Sequence, residues 1–213
     1  MGIIQNIIKL FSSENSIYYN DITFNKYLNY GPIIEGSLAK WKNRNPRAIF
    51  ANISNRTDLT DDDFIHLKDV RILNMSNCNQ TMITDNAFKF LGNVHTLNMS
   101  NCNQKTITDN AFKHLYSIQN LDITNCNQPT ITNIAFQYLS NIKNLYMRGC
   151  NKKTIDNKCI SYLTNIETLK LSFRTQRKLI AEAELMGIMI DIPHKYKNDI
   201  DKEIIKLVIN GIQ

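Results

Sequence analysis

Cys78, Cys102, Cys126 and Cys150 recur every 24 residues. Thiols can ligate a metal, pair as disulfides or attack a substrate, and the spacing bears on each chemistry. Zinc sites use close pairs such as C-x-x-C, and this chain has none. A nucleophilic thiol needs a base beside it and a setting of its own, whereas these four share one repeated context. Stacked at strand spacing, their Cβ atoms would lie about 4.8 Å apart, outside the roughly 3.5–4.5 Å that a disulfide spans. What remains is a small buried hydrophobe whose thiol bonds loop backbone. Cys159 lies off this beat and reads as core. No catalytic residue, metal site or cofactor is assigned, and the chain reads as a non-enzyme.

The elements that must hold such a ladder are repeats too. Units open at Val70, Val94, Ile118 and Ile142, with partial copies from Pro46 and Ile166. Between Leu59 and Leu171 no residue is inserted or deleted. Leu73, Leu97, Leu121, Leu145 and Leu169 share a column, and two residues on stand Met75, Met99, Ile123, Met147 and Leu171. Period-2 apolarity over so few residues predicts a short strand with one buried face. In the second half, Thr60, Thr84, Thr108, Thr132 and Asp156 stand four residues before Phe64, Phe88, Phe112, Phe136 and Ile160, with a Leu three further on. Thr or Asp before i, i+3 apolar spacing predicts a helix N-cap. Asp61, Asp85 and Asp109 then take the first helical position, where negative charge suits the helix dipole. Each unit is expected to be a strand, a turn, a helix of about two turns and a tight return.

Two polar columns frame the cysteines. Asn55, Asn79, Asn103, Asn127 and Asn151 are expected to satisfy backbone groups in the turn leaving the strand. Asn77, Asn101, Asn125 and Gly149 are the residue types that tolerate positive φ. In the copy from Pro46, Ser54 stands where the others have Cys. Parallel strands stack about 4.8 Å apart and helices roughly 8–10 Å, so the expected α/β solenoid curves, its parallel sheet concave and its short helices convex.

The unit V/I-x-x-L-x-L/M-x-x-C-N-x-x-x-I-T-D-x-x-F-x-x-L, running from about Ala48 to Ile190, resembles the cysteine-containing leucine-rich repeat. Repeats of that type occur in F-box substrate receptors of ubiquitin ligases and are similar to those of amoebae and giant DNA viruses. The resemblance implies a solenoid that binds a protein partner. It offers a ubiquitin-ligase adaptor as an alternative, and a host cytoplasm as the setting if the chain is viral.

Three segments are expected: a helical N-terminal cap over 1–45, which could instead be a degenerate F-box; repeats over 46–190; and a helical C-terminal cap over 191–213. Ser37 to Lys42 resembles the end of an F-box, but a Leu-Pro opening is missing. Arg177 to Met186 predicts the last helix, Ile188 to Ile190 a final strand, and Asp201 to Ile209 a closing helix. No apolar run is long enough to cross a bilayer, and the first residues lack the pattern of a signal peptide. Unpaired cysteines suit an intracellular, cytoplasmic setting. The net charge of +6 could draw nucleic acid, but scattered surface charge is the simpler reading and a nucleic-acid role is not favoured.

A partner site is expected where columns stop repeating. Two rows are predicted to face out of the sheet: Phe50, Asn74, Asn98, Asp122, Tyr146, Lys170 and Asn52, Ser76, Ser100, Thr124, Arg148, Ser172. Early units carry Asn and Ser, whereas later ones carry Asp122, Tyr146, Arg148 and Lys170. Tyr and Arg are the types that anchor interfaces. The bland alternative is a solvated sheet face.

Overall fold

In the computed structural model the chain divides between Tyr30 and Gly31. The described residues are 31–150, 153–172, 177–188, 190, 200–201 and 204, all in the second unit. Six three-residue strands pair in chain order into one parallel sheet: β1 Phe50–Asn52, β2 Ile72–Asn74, β3 Thr96–Asn98, β4 Asn120–Asp122, β5 Asn144–Tyr146 and β6 Thr168–Lys170. Leu73 of β2 pairs with Leu97 of β3, which pairs with Leu121 of β4. These leucines are fully buried and alternate with residues that face the opposite side. The fold is the expected leucine-rich-repeat solenoid, with the sheet on one face and short helices on the other.

Two of the repeat helices are shorter than the two turns expected, and three reach about two turns by winding as 3-10 helices. Asp85–Phe88 and Asp109–Phe112 are four-residue α-helices. Asp61–Leu67, Asn133–Tyr138 and Asn157–Tyr162 are 3-10 helices of seven, six and six residues. At about three residues per turn, a 3-10 helix fits two turns into the space between N-cap and return turn. Phe64, Phe88, Phe112 and Phe136 form a fully buried spine between helices and sheet.

The first unit departs from the expected register. Phe50 pairs with Ile72, and Asn52 pairs with Asn74. Asn55 has φ 61°, as do its equivalents Asn77 at 61° and Asn101 and Asn125 at 59°. Asn55 therefore belongs with Asn77, not with Asn79. Ser54 matches Ser76, and Arg56 occupies the cysteine position. The unit is two residues short between Asn55 and Leu59, where a tighter turn suffices. The outward row thus begins at Asn52 instead of Phe50.

Arg56 explains how this end is closed. Its guanidinium pairs with Asp58 at 2.6 Å and donates to Ile34 O at 2.8 Å. Ile34 N donates to Asn52 O, and Asn52 Nδ2 to Gly31 O, both at 2.8 Å. Residues 31–34 so occupy the free edge of β1, which would otherwise be an open template. Ser37 then caps the helix Leu38–Arg44 and Leu38 is fully buried.

At the other end, the helix Arg177–Leu185 stops at Gly187, which has φ 73°. Gly187 N donates to Glu184 O and Ile188 N to Ala183 O, both at 2.9 Å, a Schellman closure. Ile188 is consumed by that closure. Among the described residues the sheet ends at β6; of the strand expected over 188–190, Ile188 and Ile190 are not in a strand and Met189 lies outside the description. Of the closing helix expected over 201–209, Asp201 and Ile204 are helical, as is Ile200; its other residues lie outside the description, as does Asn151.

Candidate functional site: the open face of the sheet

Three polar systems fix the strands that carry this face. The thiols come first. Cys78, Cys102, Cys126 and Cys150 donate to Ile53 O, Met75 O, Met99 O and Ile123 O of the preceding unit at 3.0–3.1 Å. All five cysteines are free and buried. Burial pushes Cys78 up to about 11, and Cys150 and Cys159 to about 12. Cys102 and Cys126 are raised too, by burial first and by neighbouring thiols second. These are protonated structural donors, poor nucleophiles at neutral pH. Among the described residues no cluster of His, Cys, Asp or Glu is placed to hold a metal ion.

Asparagines form the second system. Asn103 N donates to Asn79 Oδ1, and Asn127 N to Asn103 Oδ1, each at 2.6 Å. Their amides turn back to Asn101 O and Asn125 O at 3.3 Å. The turn-satisfying role expected for this column holds where it is described.

Sequence reasoning missed the full role of the third. Thr84 donates from N and Oγ1 to the two carboxylate oxygens of Asp61, at 2.7 and 2.6 Å. Thr108 does the same to Asp85, and Thr132 to Asp109, with all four distances 2.7 Å. Each Thr Oγ1 also accepts from the N–H two residues on, capping its own helix. The I-T-D motif therefore clamps one unit to the next as well as starting a helix. The last clamp changes partners: Asn133 Nδ2 donates to Asp156 Oδ1 at 2.7 Å, and Asp156 N to Asn133 Oδ1 at 3.1 Å.

On this frame the open face carries three columns. At its centre, Asn52, Asn74, Asn98 and Asp122 each accept, through Oδ1, the N–H two residues on, at 2.8–3.1 Å. Asp122 thus repeats the bond of its Asn equivalents while adding a charge, and it is 6 % exposed. Tyr146 follows at 7 % exposure, then Lys170, half-buried. Asp122 pairs in register with Tyr146, and Tyr146 with Lys170. Arg148, exposed, stands two residues beyond Tyr146 on the flanking column with Ser76, Ser100 and Thr124. The structure brings Asp122, Tyr146 and Lys170 onto adjacent strands, with Arg148 at their edge.

The other flank was not foreseen. Phe50, Ile72, Thr96, Asn120 and Asn144 share it by register. Asn120 Nδ2 donates to Thr96 Oγ1 at 3.1 Å, and Asn144 Nδ2 to Asn120 Oδ1 at 2.7 Å. The outward alternation around Leu121 and Leu145 was the signal for these asparagines.

A family model described as the BspA type leucine rich repeat region matches residues 57–179 in six copies. No curated protein matches the chain. Among solved structures, a chain of the TLR13–ssRNA13 complex is 27% identical with a TM-score of 0.51, over 59% of this chain and 18% of that one. A chain of the octameric complex of latrophilin 3, Unc5D and FLRT2 is 18% identical with a TM-score of 0.40, over 63% of this chain and 50% of that one. This chain thus spans half or less of the length of either.

Proposed function

We propose that this chain, which belongs to the BspA type leucine-rich repeat family, is a non-enzymatic scaffold that holds a protein partner on the open face of its sheet. The observation that carries this reading is a contrast along one column. From Asn52 to Asn98 the central positions repeat, whereas Asp122, Tyr146 and Lys170 differ from one another on paired strands. Columns that serve the frame repeat because each copy needs the same bond. Acid, phenol and ammonium in register are groups that discriminate partners, and Tyr and Arg lead among interface anchors. Arg148 supplies an exposed guanidinium at the rim. The five buried free thiols suit a reducing, intracellular setting, which is part of the proposal.

The test is affinity capture with the parent chain and a Tyr146→Ala/Arg148→Glu variant side by side. A protein held by the parent and lost from the folded double variant supports the site. Equal recovery by both baits removes it. Capture of a ubiquitin-ligase adaptor through residues 1–45 would add the recruitment role. The similar TLR13 chain was solved with single-stranded RNA. Salt-sensitive retention on RNA, with no captured protein, would replace the protein partner.

A further inference from the structure

A second surface lies on the rim where helices return to strands, beside the flank that carries Thr96, Asn120 and Asn144. A groove of about 490 Å³ opens there, lined among others by His95, Tyr116, Gln119, Asn141, Lys143 and Glu167. His95, Gln119, Lys143 and Glu167 occupy one position of successive units, and their side chains differ from copy to copy. Their backbone groups are committed to the frame: Gln119 N donates to His95 O at 2.9 Å, Lys143 N to Gln119 O at 2.8 Å and Glu167 N to Lys143 O at 2.7 Å. Only the side chains remain to distinguish one unit from the next.

Two departures from the repeat converge at this groove. Tyr116 is 64 % exposed, yet its ring rests against the preceding return turn at Gly92. A Cβ at Gly92 would collide with the phenol end of that ring, so glycine there is what lets the ring lie down. Beside it an asparagine ladder is interrupted. Asn93, Asn141 and Asn165 donate to Lys68 O, Tyr116 O and Ser140 O at 3.0, 3.1 and 2.6 Å. Ser117 takes the missing place, and its side chain is too short for the same reach. His95 Nδ1 donates to Asn93 O at 2.8 Å, since a carbonyl can only accept. That fixes the neutral ring's tautomer and makes Nε2 an acceptor.

The lining selects a ligand class by its chemistry. Lys143 and Glu167 pair at 3.4 Å and cancel in charge, which disfavours a phosphate backbone. One aromatic ring among amides offers too little apolar area to anchor a hydrophobic peptide. A flat exposed ring flanked by planar donor–acceptor groups suits a molecule with a C–H face and a hydroxyl edge. We propose that this groove binds a neutral saccharide, its ring face packed on Tyr116 and its hydroxyls paired with Gln119, Asn141 and His95. The site uses none of Asp122, Tyr146, Arg148 and Lys170, so it does not depend on the proposed protein-binding role.

The experiment is a titration of the full chain, followed by amide chemical shifts, with cellobiose, maltose and N,N′-diacetylchitobiose, and with an oligouridylate as the contrasting probe. At least one saccharide is expected to give saturable shifts confined to residues near 93–167, with Kd of about 1 mM. Tyr116→Ala is expected to weaken that binding about tenfold or more, as is Gly92→Ala, which lifts the ring without removing it. Tyr116→Phe should retain it, and melting curves verify that each variant is folded. The proposal is overturned if no saccharide gives saturable shifts, if Tyr116→Ala binds like the parent, or if oligouridylate alone binds this rim.

Discussion

At the scale of single residues, one column can be read by its backbone and another by its unmet bonds. Asn101 sits at φ 59° and its side chain only accepts from the exposed amide of Asn125. Asn101→Gly should therefore be nearly neutral. Asn101→Val forces a β-branched residue into left-handed backbone and should cost about 1–2 kcal/mol, read as a drop in Tm. Gln104 presents the opposite case. It is 5 % exposed and neither amide atom has a partner among the described residues. The reason lies two residues on: Thr106 Oγ1 already takes Ile83 O at 2.7 Å, whereas in the preceding unit Met82 leaves Leu59 O to Gln80 at 3.5 Å. Gln104→Met keeps shape and removes the buried amide, so Tm should rise by about 2–4 °C. The thiols allow a third measurement. Because burial holds Cys78 near 11 and Cys150 near 12 against an ordinary 9.0, they remain protonated when folded. Ellman's reagent at pH 8.5 should find no reactive thiol until denaturant exposes all five. Their contribution to stability is full below pH 9 and declines as pH rises toward the folded values.

At the scale of elements, the clamp between helix starts explains why I-T-D recurs as a block. Reading Thr as a cap was correct at Thr84, Thr108 and Thr132 but saw only one unit at a time. The carboxylate faces the next unit's Thr, and a linear sequence does not display which copies touch. The last clamp gives the sharper test, because its two members have exchanged chemistry. Asn133→Asp would set two carboxylates face to face and should cost about 2 kcal/mol at neutral pH. The loss should shrink on acidification, and adding Asp156→Thr should restore the pairing found in earlier units. Thermal melts of the parent and the two variants at pH 5 and 7 would check this; a loss of stability unaltered by the second substitution would count against the clamp.

At the scale of the whole repeat array, the Phe spine makes stability a shared property. Phe112→Ala removes a fully buried ring and should cost about 3–5 kcal/mol, lowering one cooperative transition instead of creating a second. Strand phase, spine, helix N-caps and positive-φ positions were legible because each repeats a side-chain requirement. The first register was misread because the 24-residue spacing that holds at Thr60 and Phe64 was extended upstream to Phe50, although Asn52-Ile53-Ser54-Asn55 against Asn74-Met75-Ser76-Asn77 carried the two-residue offset. At the candidate face, the varying column was visible, but not that Asp122 also serves the frame, which depends on a bond to Thr124 N. One consequence of the clamp concerns heredity. Each inner unit hands its successor the same surface that it received, so slippage of 24 codons can lengthen or shorten the gene without a new interface having to evolve. A second copy of residues 94–117 inserted after Ser117 should fold with one more strand. An insert of 22 residues copied from the first unit should not, because Arg56 is fitted to an end.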